Sequence, residues 1–278
     1  MKKHAMANEY KILCSEANSM VKMKNGAKTS NGWTKVDGEH DSRSNFKGVL
    51  YEKGGQYALC FVGTDRFSAK DWGANAKMAL TGESRQIKLA QKFADKMQKE
   101  YGLNSKNTES IGHSEGGTEA TAVGIQYGLQ TTTFNAFGVG KKYAEPGKNY
   151  DKLNTNYRDP HDPVSKLKEN VGTTYITPNL QNEFMSTTPF GSVKAHRIDN
   201  MGDCTQSLPV DYYKKSNPFF INKISDADIS RQDIANMESG LFKVYEKEID
   251  KRMTNNKIRN SSEDKWVTIN GNHVLIKD

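Results

Sequence analysis

The stretch Ile111-Gly112-His113-Ser114-Glu115-Gly116-Gly117 constrains this chain more than any other. It holds Gly-x-Ser-x-Gly, the pattern of a sharp strand-to-helix turn that lifts a serine hydroxyl above a sheet. Such a turn leaves no room for side chains at positions 112 and 116, and Gly117 lets the following helix lie close to the strand. Three fixed residues in five recur by chance, so the flanking segments have to agree with the turn.

They alternate between two periods. Residues 10–23 carry a helical apolar stripe, and residues 25–43, rich in Gly, Asn, Asp and Ser, read as loop. Residues 46–52 and 56–62 read as strands joined by Lys53-Gly54-Gly55, a hairpin. Asp71-Trp72-Gly73-Ala74-Asn75 opens a short helix. Residues 84–101 form an amphipathic one, with Ile87, Leu89, Ala90, Phe93, Ala94 and Met97 on its apolar side, Ser84 as N-cap and Gly102 as stop. A short polar strand over 107–111 leads into the turn. A helix of small residues over 117–128 and a strand over 131–139 follow. Residues 140–156 read as loop and 173–177 as a strand.

The order strand, helix, strand, helix, strand predicts an α/β fold with a mostly parallel sheet flanked by helices. Residues 1–204 hold that core. Residues 205–278 form an extension: an aromatic-basic segment around Tyr212, Lys214, Lys215 and Phe220, a charged helix over 229–253, and a terminal hairpin turning at Asn270-Gly271.

Composition narrows the partners. Only 35% of the residues are hydrophobic, and 40 Lys and Arg against 33 Asp and Glu leave a net charge of +7. That balance suits an anionic surface such as a membrane. No Lys/Arg cluster with interleaved aromatics argues for nucleic acid. Cys14, Cys60 and Cys204 are widely spaced and carry no zinc pattern, so no metal or cofactor is expected. A reducing compartment follows from the same spacing. Neither a secretory signal nor a membrane-spanning run is evident, which leaves cytoplasmic residence or export by a signal-independent route.

Serine needs a base to take its proton and donors to hold the oxyanion that forms. In this kind of turn the partners follow in the order Ser, Asp, His. After Ser114 come His161, His196 and His273. His161 lies between two Asp-Pro turns, too early in the order, and His273 sits in the terminal hairpin, so His196 is the expected base. Asp162 is the expected acid, with Asp159 the runner-up, since each precedes a proline in Asp159-Pro160-His161-Asp162-Pro163. His113 is expected to pack or hydrogen-bond beneath the turn. The N–H of Glu115 supplies one oxyanion donor. Thr64, at the end of Phe61-Val62-Gly63-Thr64, fits the second.

Phe61-Val62-Gly63-Thr64, Asp71-Trp72 with Asn75, Gly112 to Gly117, Asp162-Pro163-Val164 and His196 together resemble the ordered landmarks of the class 3 lipases. These are α/β-hydrolases of the fungal triacylglycerol lipase type with bacterial phospholipase relatives. The resemblance spans roughly residues 46–201. It implies a serine esterase acting on lipid esters, most of all phospholipids in the manner of a phospholipase A, through an acyl-enzyme on Ser114 with Asp162 and His196. It also implies Thr64 and Glu115 as oxyanion donors and a lid, for which residues 212–220 and 141–157 are the candidates. The family usually has an apolar residue where Glu115 stands. Glu115 and the polar strand before the turn support the alternative, a catalytically silent hydrolase-fold binding or structural protein of phage or toxin association.

Overall fold

The computed structural model describes residues 2–63, 72–139, 142–162, 165, 170–180, 194–210, 265–269 and 272–276. Its centre is an eight-stranded sheet whose strands lie side by side in chain order. They are β1 (Thr34–Asp41), β2 (Phe46–Lys53), β3 (Gln56–Phe61), β4 (Thr108–His113), β5 (Gln130–Phe134), β6 (Asn154–Arg158), β7 (Thr173–Ile176) and β8 (Leu208–Pro209). The first three form an antiparallel meander. β3 to β7 run parallel, and β8 returns antiparallel to β7. Helices α2 (Trp72–Tyr101) and α3 (Glu115–Tyr127) make the crossovers from β3 to β4 and from β4 to β5, and α1 (Lys2–Met20) precedes the sheet. The expected α/β architecture is thus present, with a sheet that is mixed and parallel at its centre.

Period-2 alternation divides the core between the two faces. Val49, Tyr51, Ala58, Cys60, Ile111, Phe134 and Tyr157 face α1, whose buried stripe Ala7, Tyr10, Leu13, Ala17 and Met20 follows helical spacing. Leu50, Leu59 and Phe61 face the other way, onto Ala90, Phe93 and Met97 of α2 and Ala120 and Val123 of α3. Each large apolar side chain so enclosed contributes about 1.5–3 kcal/mol. α1 also fastens the segment after His196. Lys11 Nζ donates to the carbonyls of Met201 (3.0 Å) and Gly202 (2.5 Å). Asn8 donates to Asp203 Oδ1 at 2.6 Å and accepts the Cys204 N–H at 2.9 Å.

Four expectations are corrected. β1 occupies part of the presumed loop 25–43. Its residues Thr-Lys-Val-Asp-Gly-Glu-His-Asp are polar because it is an edge strand, where charge is tolerated and discourages pairing with other chains. α1 starts at Lys2 rather than residue 10. α2 is one helix of 30 residues, so Ser84 lies inside it and is not its N-cap; Gly82 and Ser84 weaken the helix by about 1 kcal/mol or less each, too little to end it. β6 takes residues 154–156, the end of the stretch 140–156 expected as loop, while the described residues of that stretch before it carry no helix or strand. Ala144 and Tyr150 are buried with Val139, packed against Leu153 and Val171.

The three cysteines are free thiols, with Cys14 Sγ 3.8 Å from Cys60 Sγ. β9 (Lys265–Ile269) and β10 (Asn272–Ile276) pair antiparallel, Trp266 opposite Leu275, as a terminal hairpin requires. The aromatic-basic segment and the charged helix over 229–253 lie outside the described residues. No described helix is long and apolar enough to cross a membrane.

Candidate active site

β4 delivers Ser114 to the mouth of the sheet. Its strand is polar but satisfied: Ser110 Oγ donates to the Ala120 carbonyl at 2.9 Å, and Glu109 bonds Thr132 on the neighbouring strand. Ser114 then adopts φ 57°, ψ −127°, a conformation sparsely populated by residues with side chains and held only where the surroundings enforce it. They do so by close approach. A Cβ at Gly112 would lie 2.2 Å from the Gly116 carbonyl oxygen, and one at Gly116 would lie 2.2 Å from that of Phe61. The Ser114 N–H donates to the Phe134 carbonyl at 3.0 Å, which ties the turn to β5.

Three of the predicted residues meet here, all buried. His196 Nε2 is 2.8 Å from Ser114 Oγ, and His196 Nδ1 is 3.0 Å from Asp162 Oδ1. A carboxylate can only accept, so Nδ1–H donates to Asp162 and Nε2 is left to accept the serine O–H. Asp162 Oδ2 accepts the Ser165 N–H at 3.2 Å, which fixes the carboxylate plane. The runner-up Asp159 is not part of this chain of bonds. Its Oδ1 accepts the His161 N–H at 2.8 Å, and its Oδ2 accepts from Asn179. Burial raises the Asp159 pKa, and the bonds from His161 oppose that rise. His161 itself lies against Asp159, its Nδ1 3.6 Å from Oδ1.

Glu115 opens α3, where a helix presents donors and the positive end of its dipole. Gly63, two residues past β3, packs against this turn: a Cβ there would lie 2.8 Å from the His113 carbonyl oxygen, 3.2 Å from Ser114 Cβ and 3.5 Å from the Glu115 amide nitrogen. Thr64, the next residue and the second predicted oxyanion donor, lies outside the described residues. One turn along α3 from Glu115, Glu119 is buried; desolvation first, then the charge of Glu115, pushes its carboxyl well above the usual range.

Two side chains hold the backbone of the candidate base. His113 Nε2–H donates to the His196 carbonyl at 2.7 Å. Burial, with His196 beside it, pushes the His113 imidazole down to about 3, so it is neutral at physiological pH. Asn135 donates to the carbonyls of Ala195 and His196 at 3.0 and 3.2 Å. Asn135 sits inside a strand-like run, and its one sequence signal is a lone amide within the apolar stretch Phe134-Asn135-Ala136-Phe137. Among the described residues, no cluster of three or more His, Cys, Asp or Glu could hold a metal ion.

A helix-flanked α/β sheet with a buried Ser–His–Asp network on a strained turn is the arrangement of a serine hydrolase. Residues 16–180, more than half of the chain, match the Tle-like phospholipase domain, and the chain belongs to that phospholipase-like family. It is 32% identical over 100 residues to an extracellular phospholipase A1 of Serratia liquefaciens, a stretch that covers 36% of this chain and only 30% of that protein. In fold it is similar to a lipase from Rhizopus microsporus var. chinensis, with a TM-score of 0.50 at 14% identity over 73% of this chain and 90% of the other. A Rhizomucor miehei lipase in complex with its propeptide gives the same TM-score of 0.50 and 14% identity over 72% and 80%. At such identity these two structures speak for the fold alone.

Proposed function

We propose that this protein is a serine carboxylic-ester hydrolase that cleaves phospholipids in the manner of a phospholipase A. The observation that carries the reading is the unbroken chain of hydrogen bonds from Ser114 through His196 to Asp162, 2.8 and 3.0 Å, on the strained turn. Ser114 Oγ attacks the ester carbonyl carbon as His196 Nε2 takes its proton. Asp162 holds the ring in the required tautomer and stabilises the imidazolium. The oxyanion is held by the Glu115 N–H at the start of α3 and by Thr64. The tetrahedral intermediate collapses, the alcohol leaves with the proton from His196, and the fatty acyl group stays on Ser114. Water, deprotonated by His196, then releases the fatty acid and restores the serine.

The lipid assignment draws on the family and on the net charge of +7, which favours an anionic interface. One observation favours the second reading, a silent hydrolase-fold binding protein: Glu115, whose N–H is the proposed oxyanion donor, carries a buried acidic side chain. The test is fatty-acid release from a panel of phospholipids and short-chain nitrophenyl esters, wild type beside Ser114→Ala. Release that vanishes in the variant supports the esterase, and the preferred lipid names the substrate. Equal release by both proteins, or none by either, overturns it.

A further inference from the structure

The acid and the base come from two different loops, and the 3.0 Å bond between Asp162 and His196 joins those loops only through the reacting side chains themselves. Asp162 sits three residues past Asp159, and its N–H donates to the Asp159 carbonyl at 3.2 Å. The loop that brings in His196 comes from much later in the chain. The Asn135 side chain bonds the backbone of both. Asn135 Oδ1 accepts the Asp159 N–H at 2.8 Å, while Asn135 Nδ2 donates to the carbonyls of Ala195 and His196 at 3.0 and 3.2 Å.

The backbone at Asn135 is shaped for this task. Its own N–H donates to the Tyr157 carbonyl at 2.9 Å, continuing the β5–β6 ladder by one residue. It then takes φ 45°, in the left-handed region that Asn tolerates better than most residues. The side chain is fully buried, with both its oxygen and its nitrogen in use. The His196 carbonyl is therefore held from two sides, by Asn135 just past β5 and by His113 on β4 at 2.7 Å. Moving either loop by an ångström would break the 2.8 Å or the 3.0 Å bond at the imidazole.

From this we infer that Asn135 is a positioning residue that sets the spacing of the acid and base loops and thereby aims His196 at Ser114. The inference rests on the proposed serine-hydrolase chemistry. Misplacement of about 1 Å lowers the rate of such chemistry by on the order of 100-fold.

The test compares Asn135→Gly and Asn135→Asp with Asn156→Asp. Gly accepts the positive φ and removes all three bonds. Asp keeps the size of the side chain but sets an oxygen against the two carbonyls. Asn156 is the stability control: it is a buried amide one strand over that accepts from Thr133 Oγ1 at 2.7 Å and donates to the Val171 carbonyl at 2.8 Å, touching neither loop. The readouts are kcat and KM on a short-chain nitrophenyl ester, the rate of Ser114 labelling by a fluorophosphonate, and the thermal midpoint. Both Asn135 variants lose about 100-fold in kcat and in labelling rate with KM within about threefold. The control shifts the thermal midpoint by a similar amount and keeps its kcat. Asn135 variants that match the control in kcat and labelling rate overturn the inference. If Asn135→Gly does not fold, Asn135→Ser, whose hydroxyl can serve one of the carbonyls, is judged by the same criterion. Wild type that is not labelled at Ser114 at all defeats the serine-hydrolase reading. Wild type and Asn135 variants labelled equally fast defeat only the role of Asn135.

Discussion

Replacing Asp162 by Asn tests the electrostatics of the site with almost no change in shape. Both carboxylate oxygens are engaged, Oδ1 by His196 Nδ1 at 3.0 Å and Oδ2 by the Ser165 N–H at 3.2 Å, and the side chain is fully buried. An amide can keep only one of these contacts. With its oxygen toward His196, its NH2 faces the Ser165 N–H. Turned over, its NH2 faces Nδ1, which forces the imidazole to carry its proton on Nε2, where it cannot take one from Ser114. The charge matters as well. An imidazolium and a carboxylate with charge centres about 4 Å apart attract by about 4 kcal/mol at an effective dielectric constant near 20. That attraction is absent for the neutral imidazole of the ground state. At 1.36 kcal/mol per decade, its loss slows acylation by about 1,000-fold, and the wrong tautomer adds up to another factor of about ten. Steady-state hydrolysis of a nitrophenyl ester by Asp162→Asn measures it, with KM expected to hold and the thermal midpoint checked in parallel. A folded variant that loses less than about tenfold in kcat would refute the reasoning.

Asp159→Asn provides the contrast. Asp159 serves His161 and Asn179 rather than His196, so thermal stability falls while kcat changes by less than about tenfold; a loss matching that of Asp162→Asn would exchange their roles. Gly116→Ala places a Cβ 2.2 Å from the Phe61 carbonyl oxygen, a backbone atom that cannot swing aside. Activity should drop by about 100-fold or more, since overpacking of about 3 kcal/mol falls directly on the turn; near-normal turnover would show that the turn is not rigid. His113 predicts a pH dependence. Its imidazole is held at about 3 in the folded protein against 6.5 when unfolded, so the unfolded chain binds the proton more readily. Stability from this group is whole above pH 6.5 and falls on acidification toward pH 3, by up to about 1.4 kcal/mol per unit. Denaturant unfolding at a series of pH values should show a shallower acid limb for His113→Gln than for wild type, and parallel limbs would contradict the assignment.

The features legible in the sequence are those whose chemistry or geometry admits few residue types. The turn at Ser114 needs glycine where backbone atoms approach within van der Waals distance, and the hairpin of β2 and β3 needs a turn after an alternating run. Both stand out from residue identity alone. β6 did not. Its Asn154, Thr155 and Asn156 read as loop because polar residues normally meet water, whereas here Thr133 and the Val171 carbonyl pair with the two amides inside the sheet. β1 was hidden by the charge that an edge strand carries, and the single long α2 by glycine and serine whose small penalties packing overrides. Asn135 was hidden for a further reason. Its partners, Asp159, Ala195 and His196, lie 24 to 61 positions away, and a bond of that span leaves no local pattern.

The most direct test of the account is covalent. A fluorophosphonate reacts only with a serine whose proton is being drawn off and whose oxyanion is being held. Intact mass and peptide mapping after exposure should show one adduct per chain, on Ser114, absent from Ser114→Ala and slowed by about 1,000-fold or more in His196→Ala. Folded wild-type protein that takes up no adduct, or an adduct that persists in Ser114→Ala, would contradict the claim that this hydrogen-bonded network is a working nucleophile.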